Sequence, residues 1–199
     1  MPRVPPITGK DDVPAEHHDV VDDVLGVFGR IRGPFSMLLH SPDLASKLLP
    51  MVPFNRDGTI VEPGPRFAAI LAAVREREGA YVWAAQVAAA TRAGVPQTMI
   101  DLIKAKGDPS SLPQDEADVV TFVRQLMRTN RTDKAVFDRL RERHGVRWLV
   151  ELTAIASYYA MLCGIERVRG GPTARRRQAA AIGLTLAPGR LQAPAWNRT

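Results

Sequence analysis

RFAAILAAVREREGAYVWAAQVAAATRAG, residues 66–94, is the stretch that decides the fold class. Alanine and leucine with interleaved arginine and glutamate are strong helix formers, and no strand-like alternation interrupts them. Gly79 sits in the middle, so the stretch reads either as two helices broken near Gly79 or as one bent helix. Gly94 suits a helix C-cap, and Pro96 suits the first turn of a following helix that runs to about Ala105.

Working outward, the same helical grammar recurs on both sides. Upstream, Val20, Val21, Val24, Leu25 and Phe28 return at steps of three and four, the mark of an amphipathic helix from Glu16 to Phe28. Gly33-Pro34 interrupts it before a short apolar segment, Phe35 to Leu39. Ser41-Pro42 reads as an N-cap with Pro at the first helical position, launching Asp43–Leu49. Residues 50–65 hold four prolines and two glycines and read as a connecting loop. Downstream, Gly107 to Pro113 is a second loop. Asp115–Thr129, Asp133–His144 and Arg147–Ile165 complete the helices, with Thr132 as N-cap and Gly145 as a stop. The expected fold is all-α. Residues 1–15 form a loose, proline-rich leader, residues 16–165 a helical domain, and residues 166–199 a basic tail.

Composition narrows the chemistry. Among 199 residues there is one cysteine, Cys163, which excludes dithiol–disulfide chemistry within one chain and a cysteine-type zinc site. The four histidines, His17, His18, His40 and His144, lack metal-ligand spacing, so neither a metal nor a cofactor is expected. The formal charge of +6 is a property of the tail. After Ile165 the chain carries seven arginines against Glu166 alone, while the body before it balances acids and bases. The run Arg175-Arg176-Arg177 offers a nucleic-acid or anionic-surface contact, although real binders usually spread charge across a face. Met1-Pro2-Arg3-Val4-Pro5-Pro6 has no apolar run, so a cytoplasmic location is expected. Trp148–Ile165 has the minimum length of a membrane span, but Glu151, Thr153 and Ser157 lie along it. It is read as the central helix of a bundle.

Several segments, taken in order, carry a family resemblance. They are Arg32-Gly33-Pro34-Phe35 with Leu39-His40-Ser41-Pro42, Tyr81-Val82-Trp83-Ala84-Ala85-Gln86, Ala93-Gly94-Val95 through Ile100, and Val150-Glu151-Leu152-Thr153 with Tyr158-Tyr159. Over roughly residues 20–165 the chain resembles the carboxymuconolactone decarboxylase family, which includes the alkylhydroperoxidase D-like proteins. The resemblance implies an all-helical bundle of that type, assembly as trimers or hexamers, and a pocket near subunit contacts.

Its chemistry carries over poorly. The redox branch presents Cys-x-x-Cys and a histidine ahead of the Ala-Gly turn, because attack on a peroxide needs a thiolate and a nearby base. Here Gly79 and Val82 stand at the cysteine places and Gln86 at the histidine place. Another branch reads Glu-Trp-x-x-His over the same turn; this chain keeps Trp83 but has Val82 and Gln86. Where that branch often follows an arginine with an acid on the preceding helix, Arg66 is followed by Phe67. Gln86 donates and accepts hydrogen bonds but does not titrate.

Gln86, His40 and Arg66 are the expected catalytic candidates, as substrate orienter, proton carrier and carboxylate clamp; Tyr81, Trp83 and Tyr158 are the expected substrate-binding residues. Each has a plain alternative: core packing for Trp83 and Tyr158, a structural role for His40 at a helix entry, a surface helix start for Arg66. Glu151 either perturbs its pKa upward or rests on backbone N–H groups in the first turn of its helix. Cys163 reads as an inert small hydrophobe. The expected function is binding of a small organic acid or lactone, with cofactor-free decarboxylation or proton transfer if catalysis survives. The alternatives are a non-catalytic oligomeric scaffold on the same fold and a nucleic-acid contact through the tail.

Overall fold

The computed structural model describes residues 2–170, and every regular element among them is helical. In chain order these are two single 3-10 turns, then α1 (His18–Phe28), α2 (Phe35–Leu38), α3 (Pro42–Leu48) and α4 (Met51–Pro53). A π-helical turn at Phe54–Gly58 leads to α5 (Pro63–Glu76), α6 (Ala80–Arg92), α7 (Gln97–Ala105), a third 3-10 turn (Pro109–Ser111), α8 (Gln114–Thr129) and α9 (Lys134–Val168). The arginine run 175–177 and the rest of the tail lie outside the described residues.

α5 is the hub. Every residue from Phe67 to Arg75 is buried, because α6, α7, α8 and α9 all pack around it. Its small residues make that possible: Ala68, Ala69, Ala72 and Ala73 let neighbours approach closely while Ile70, Leu71 and Val74 fill the gaps. The helix starts earlier than the sequence suggests. Pro63 and Pro65 belong to its first turn, where proline forfeits no hydrogen bond, so residues read as loop are already helical. The 66–94 stretch therefore resolves into two helices. α5 and α6 flank Gly79, which caps α6 and receives Trp83 N–H on its carbonyl at 2.7 Å. At the far end of α6, Gly94 takes φ +80°, and Val95 N–H reaches back to the Ala90 carbonyl at 3.0 Å. That is the bond of a Schellman turn, and it needs a left-handed residue.

α9 differs from its expected role as the central helix. Gly145 (φ 83°, ψ 171°) breaks it. Beyond the break it buries Trp148, Leu149, Leu152, Ile155, Ala156, Tyr158, Leu162 and Cys163 against the bundle. Val150, Ala154, Ser157 and Met161 form an exposed stripe on its other side. By length and composition it is the one helix among the described residues apolar enough to cross a membrane.

The amino-terminal segment, read as loose, is fastened to the bundle instead. Arg3 N–H donates to the Arg169 carbonyl and Ile7 N–H to the Ser36 carbonyl, while Ile7 and Val13 enter the core. Proline composition alone did not reveal this, because the anchors are two isolated aliphatic side chains.

Candidate functional site

α6 carries the segment on which the resemblance turns, and its two ends meet different surroundings. At its start, Gly79 is pressed against Cys163: a β-carbon on Gly79 would lie 2.1 Å from the Cys163 Sγ. Cys163 is 1% exposed, and burial pushes its thiol up to about 12. A thiol so far from ionising is a packing group, not a nucleophile. A side chain larger than glycine at position 79 would have to displace Cys163 on α9.

Tyr81 lies next along α6. Its ring covers Gly33, where a β-carbon would fall 2.1 Å from the Tyr81 Cε1. Burial raises the Tyr81 hydroxyl pKa, with Arg32 and Arg169 pulling it down and Glu166 pushing it up. Glu166 is the residue that sequence reasoning passed over. Its side chain is 10% exposed, its Oε1 lies 3.6 Å from the Arg169 Nη1, and its buried Oε2 has no hydrogen-bond partner. Burial lifts its carboxyl above the usual range, against the opposing pull of Arg169. At the sequence level Glu166 was only the lone acid among the arginines, and nothing in a one-dimensional pattern shows burial so near a helix end.

Trp83 points toward α7. It is 4% exposed and, with Ala84 and Val87, floors an open depression of about 290 Å³. α7 supplies the opposite wall through Gln97, Ile100, Asp101 and Lys104. Gln97 Nε2 donates to the Asp101 Oδ1 at 2.9 Å, which holds the rim in one arrangement. Lys104 is the cation of this groove. Its signal in the sequence was weak, because a lysine in the last turn of a helix is ordinary.

The other candidates disperse. Gln86 is half-buried on α6 and is not among the groove-lining residues. His40 is exposed between α2 and α3, where its Nε2 donates to the Pro5 carbonyl at 2.8 Å. Arg66 stands in the first turns of α5 with its guanidinium 5.5 Å from the Phe67 ring centroid. No hydrogen bond or aromatic contact joins any two of Gln86, His40 and Arg66 among the described residues. Tyr158 is buried, its hydroxyl donates to the Leu48 carbonyl at 3.3 Å, and its ring meets Tyr159 edge-on. Within this chain it packs α9 onto α3 and does not line the α6–α7 depression.

Glu151 takes neither of its two expected roles. It accepts from Thr59 Oγ1 at 2.7 Å, from Ile60 N–H at 2.9 Å and from Arg147 Nε at 2.9 Å. The Ile60 and Thr59 bonds lower its pKa rather than raising it. The carboxylate pins the loop before α5 to α9, a tertiary contact that helix position could not forecast.

No group of three or more His, Cys, Asp or Glu side chains suited to a metal occurs among the described residues. Comparisons with family models, curated proteins and solved structures return no match.

Proposed function

We propose that this chain is a carboxymuconolactone decarboxylase-like protein that binds a small, flat organic acid or lactone in the α6–α7 groove. The carrying observation is the groove itself, lined by Trp83, Ala84, Val87 and Ile100, with Gln97, Asp101 and the cation Lys104 as its polar members. Apolar lining beside a few placed polar groups suits a small oxygenated molecule, and with Asp101 engaged by Gln97 the Lys104 ammonium suits its carboxylate. The helix pair around Gly79, the Gly94 turn and α7 give the quoted family segments a consistent helical setting. The groove's own lining holds no histidine or cysteine, which favours binding over nucleophilic chemistry.

Calorimetric titration with carboxymuconolactone, small keto acids and aromatic acids tests this reading. At least one should bind saturably, and Lys104→Gln should weaken a carboxylate ligand by roughly tenfold, since a charge-assisted hydrogen bond is worth about 1.5–3 kcal/mol. Lys104 is exposed, so the melting temperature should hold. Absence of saturable binding across the panel, or full affinity in the variant, would remove the groove from consideration.

A second reading, cofactor-free proton transfer, is favoured by Glu166. A buried carboxyl with an unpartnered oxygen beside Tyr81 could exchange a proton with a bound acid. Turnover of any panel ligand that is lost in Glu166→Gln but kept in Gln86→Ala would place chemistry there. Assembly into a homo-oligomer is part of the proposal, supported by the exposed α9 stripe.

A further inference from the structure

Where α5, α7 and α8 meet, the chain buries two arginines whose guanidinium groups are only partly satisfied. Arg75 and Arg124 are 9% and 7% exposed. Each is held by a carbonyl at the end of α7: Arg75 Nε donates to Lys104 O at 2.8 Å, and Arg124 Nη1 to Gly107 O at 2.6 Å. Those carbonyls account for one N–H group on each guanidinium. Arg75 Nη1 and Arg124 Nη2 are buried with no hydrogen-bond partner.

The neighbouring acid is already engaged. Glu76 accepts from Arg128 Nε and Nη2 at 2.8 and 2.7 Å, and it stands 3.5 Å from the Lys106 Nζ. Its distance to the Arg124 Nε is 4.0 Å, too long for a hydrogen bond. Three cations therefore converge on Glu76, Arg75 adds a fourth positive charge nearby, and Asp108 is the only other carboxylate acting on Arg124 among the described residues. Arg75 and Arg124 repel each other closely enough for Arg75 to lower the Arg124 pKa, with burial the larger cause. An unpaired buried N–H is costly, and more so on a charged group, so such an arrangement calls for an acceptor.

We propose that Arg75 and Arg124, with Lys106 and Arg128 at the mouth, form a binding site for a small oxyanion. The ligand chemistry is a compact anion with several acceptor oxygens, either phosphate or the carboxylate of a small acid, bridging the two unpartnered N–H groups. Lys106 and Arg128 are the partly exposed members, so entry runs past their flexible side chains. Planar N–H forks match oxyanion geometry in a way that lysine alone does not. The inference stands apart from the groove on α6 and α7, since it uses none of that groove's side chains.

The test is the melting temperature of the full chain in phosphate, sulfate, acetate, malonate and chloride at one fixed ionic strength. Phosphate binding is then measured by calorimetry. A saturable rise with an oxyanion that chloride does not reproduce is expected; phosphate or the carboxylates giving the larger rise identifies the source. Arg124→Gln and Arg75→Gln should each lower the affinity at least tenfold. Gln can still donate to the α7 carbonyls, which preserves the fold, and Lys106→Gln offers a surface variant with a weaker loss. Arg139→Gln should leave the affinity intact. Equal responses to oxyanions and chloride would overturn the site. So would a response that survives both buried-arginine variants, or one abolished by replacing Arg175, Arg176 and Arg177.

Discussion

Cys163 and Glu166 sit three residues apart on α9 and experience burial in the same chemical sense. Desolvation disfavours the charged form of each, so the thiol stays a thiol and the carboxyl holds its proton longer. For Cys163 the expectation is kinetic: a disulfide reagent at pH 8 should label the native protein slowly and the denatured protein at once. Rapid native labelling would show the Gly79 contact to be loose. For Glu166 the sign follows from a folded pKa above the unfolded one. The associated stability is present below the ordinary glutamate value and is lost as pH rises through the folded value. Glu166→Gln should therefore raise the melting temperature at pH 8 and leave it nearly unchanged at pH 4. Asp118 has the opposite sign. Burial opposes its ionisation, but hydrogen bonds from Arg139 and Gln114 outweigh it and hold the carboxyl below the usual range. Asp118→Asn should cost about 1–2 kcal/mol at pH 7. That difference should shrink only as pH falls through the depressed value, measured by urea unfolding against pH.

Among the elements, the α5–α6 hairpin carries the greatest sensitivity. Gly79→Ala forces a methyl group into the Cys163 side chain, so a loss of about 1–3 kcal/mol is expected. Cys163→Ala in the same chain should recover only part of it, because the Cys163 Cβ also lies within 2.8 Å of the added atom. Leu71 is fully buried at the centre of α5, and Leu71→Ala should cost about 2–5 kcal/mol by the cavity it leaves. Both are read by chemical denaturation, and the hairpin account fails if Gly79→Ala is neutral. The helical nature of this hairpin was legible in residues 66–94, as was the Gly94 cap. Its central place was not: the long apolar run at Trp148–Ile165 drew that role. α5 is alanine-rich and looks less hydrophobic, yet small residues are what a helix surrounded on all sides requires.

For the whole molecule, the exposed stripe of Val150, Ala154, Ser157 and Met161 is the surface to test for assembly. Its small residues would let another helix approach closely, in keeping with the proposed homo-oligomer. Replacing Val150 and Met161 together by glutamate should reduce the mass seen by light scattering to that of one 21.8 kDa chain. An unchanged mass would move the interface elsewhere. The site was less legible than the fold, and for a definite reason. Trp83 stood out because aromatic residues are few, at 6% of the chain. Lys104, Glu166, Arg75 and Arg124 belong to no motif in the sequence, and only packing buries the last three while leaving Lys104 exposed.

Read alone, the amino-acid pattern determined that this chain is all helical and roughly where its helices turn, because periodicity, caps and breakers act over a few residues. It also determined that dithiol chemistry within one copy of this chain is excluded, since one cysteine is a matter of counting. Only the tertiary structure decided that α5 is the hub, that Glu151 pins a distant loop, and that His40 bonds to the Pro5 carbonyl while Arg66 meets the Phe67 ring. It alone exposed the buried arginine pair. Burial and cross-chain contacts depend on which faces meet, and local sequence carries no record of the far partner.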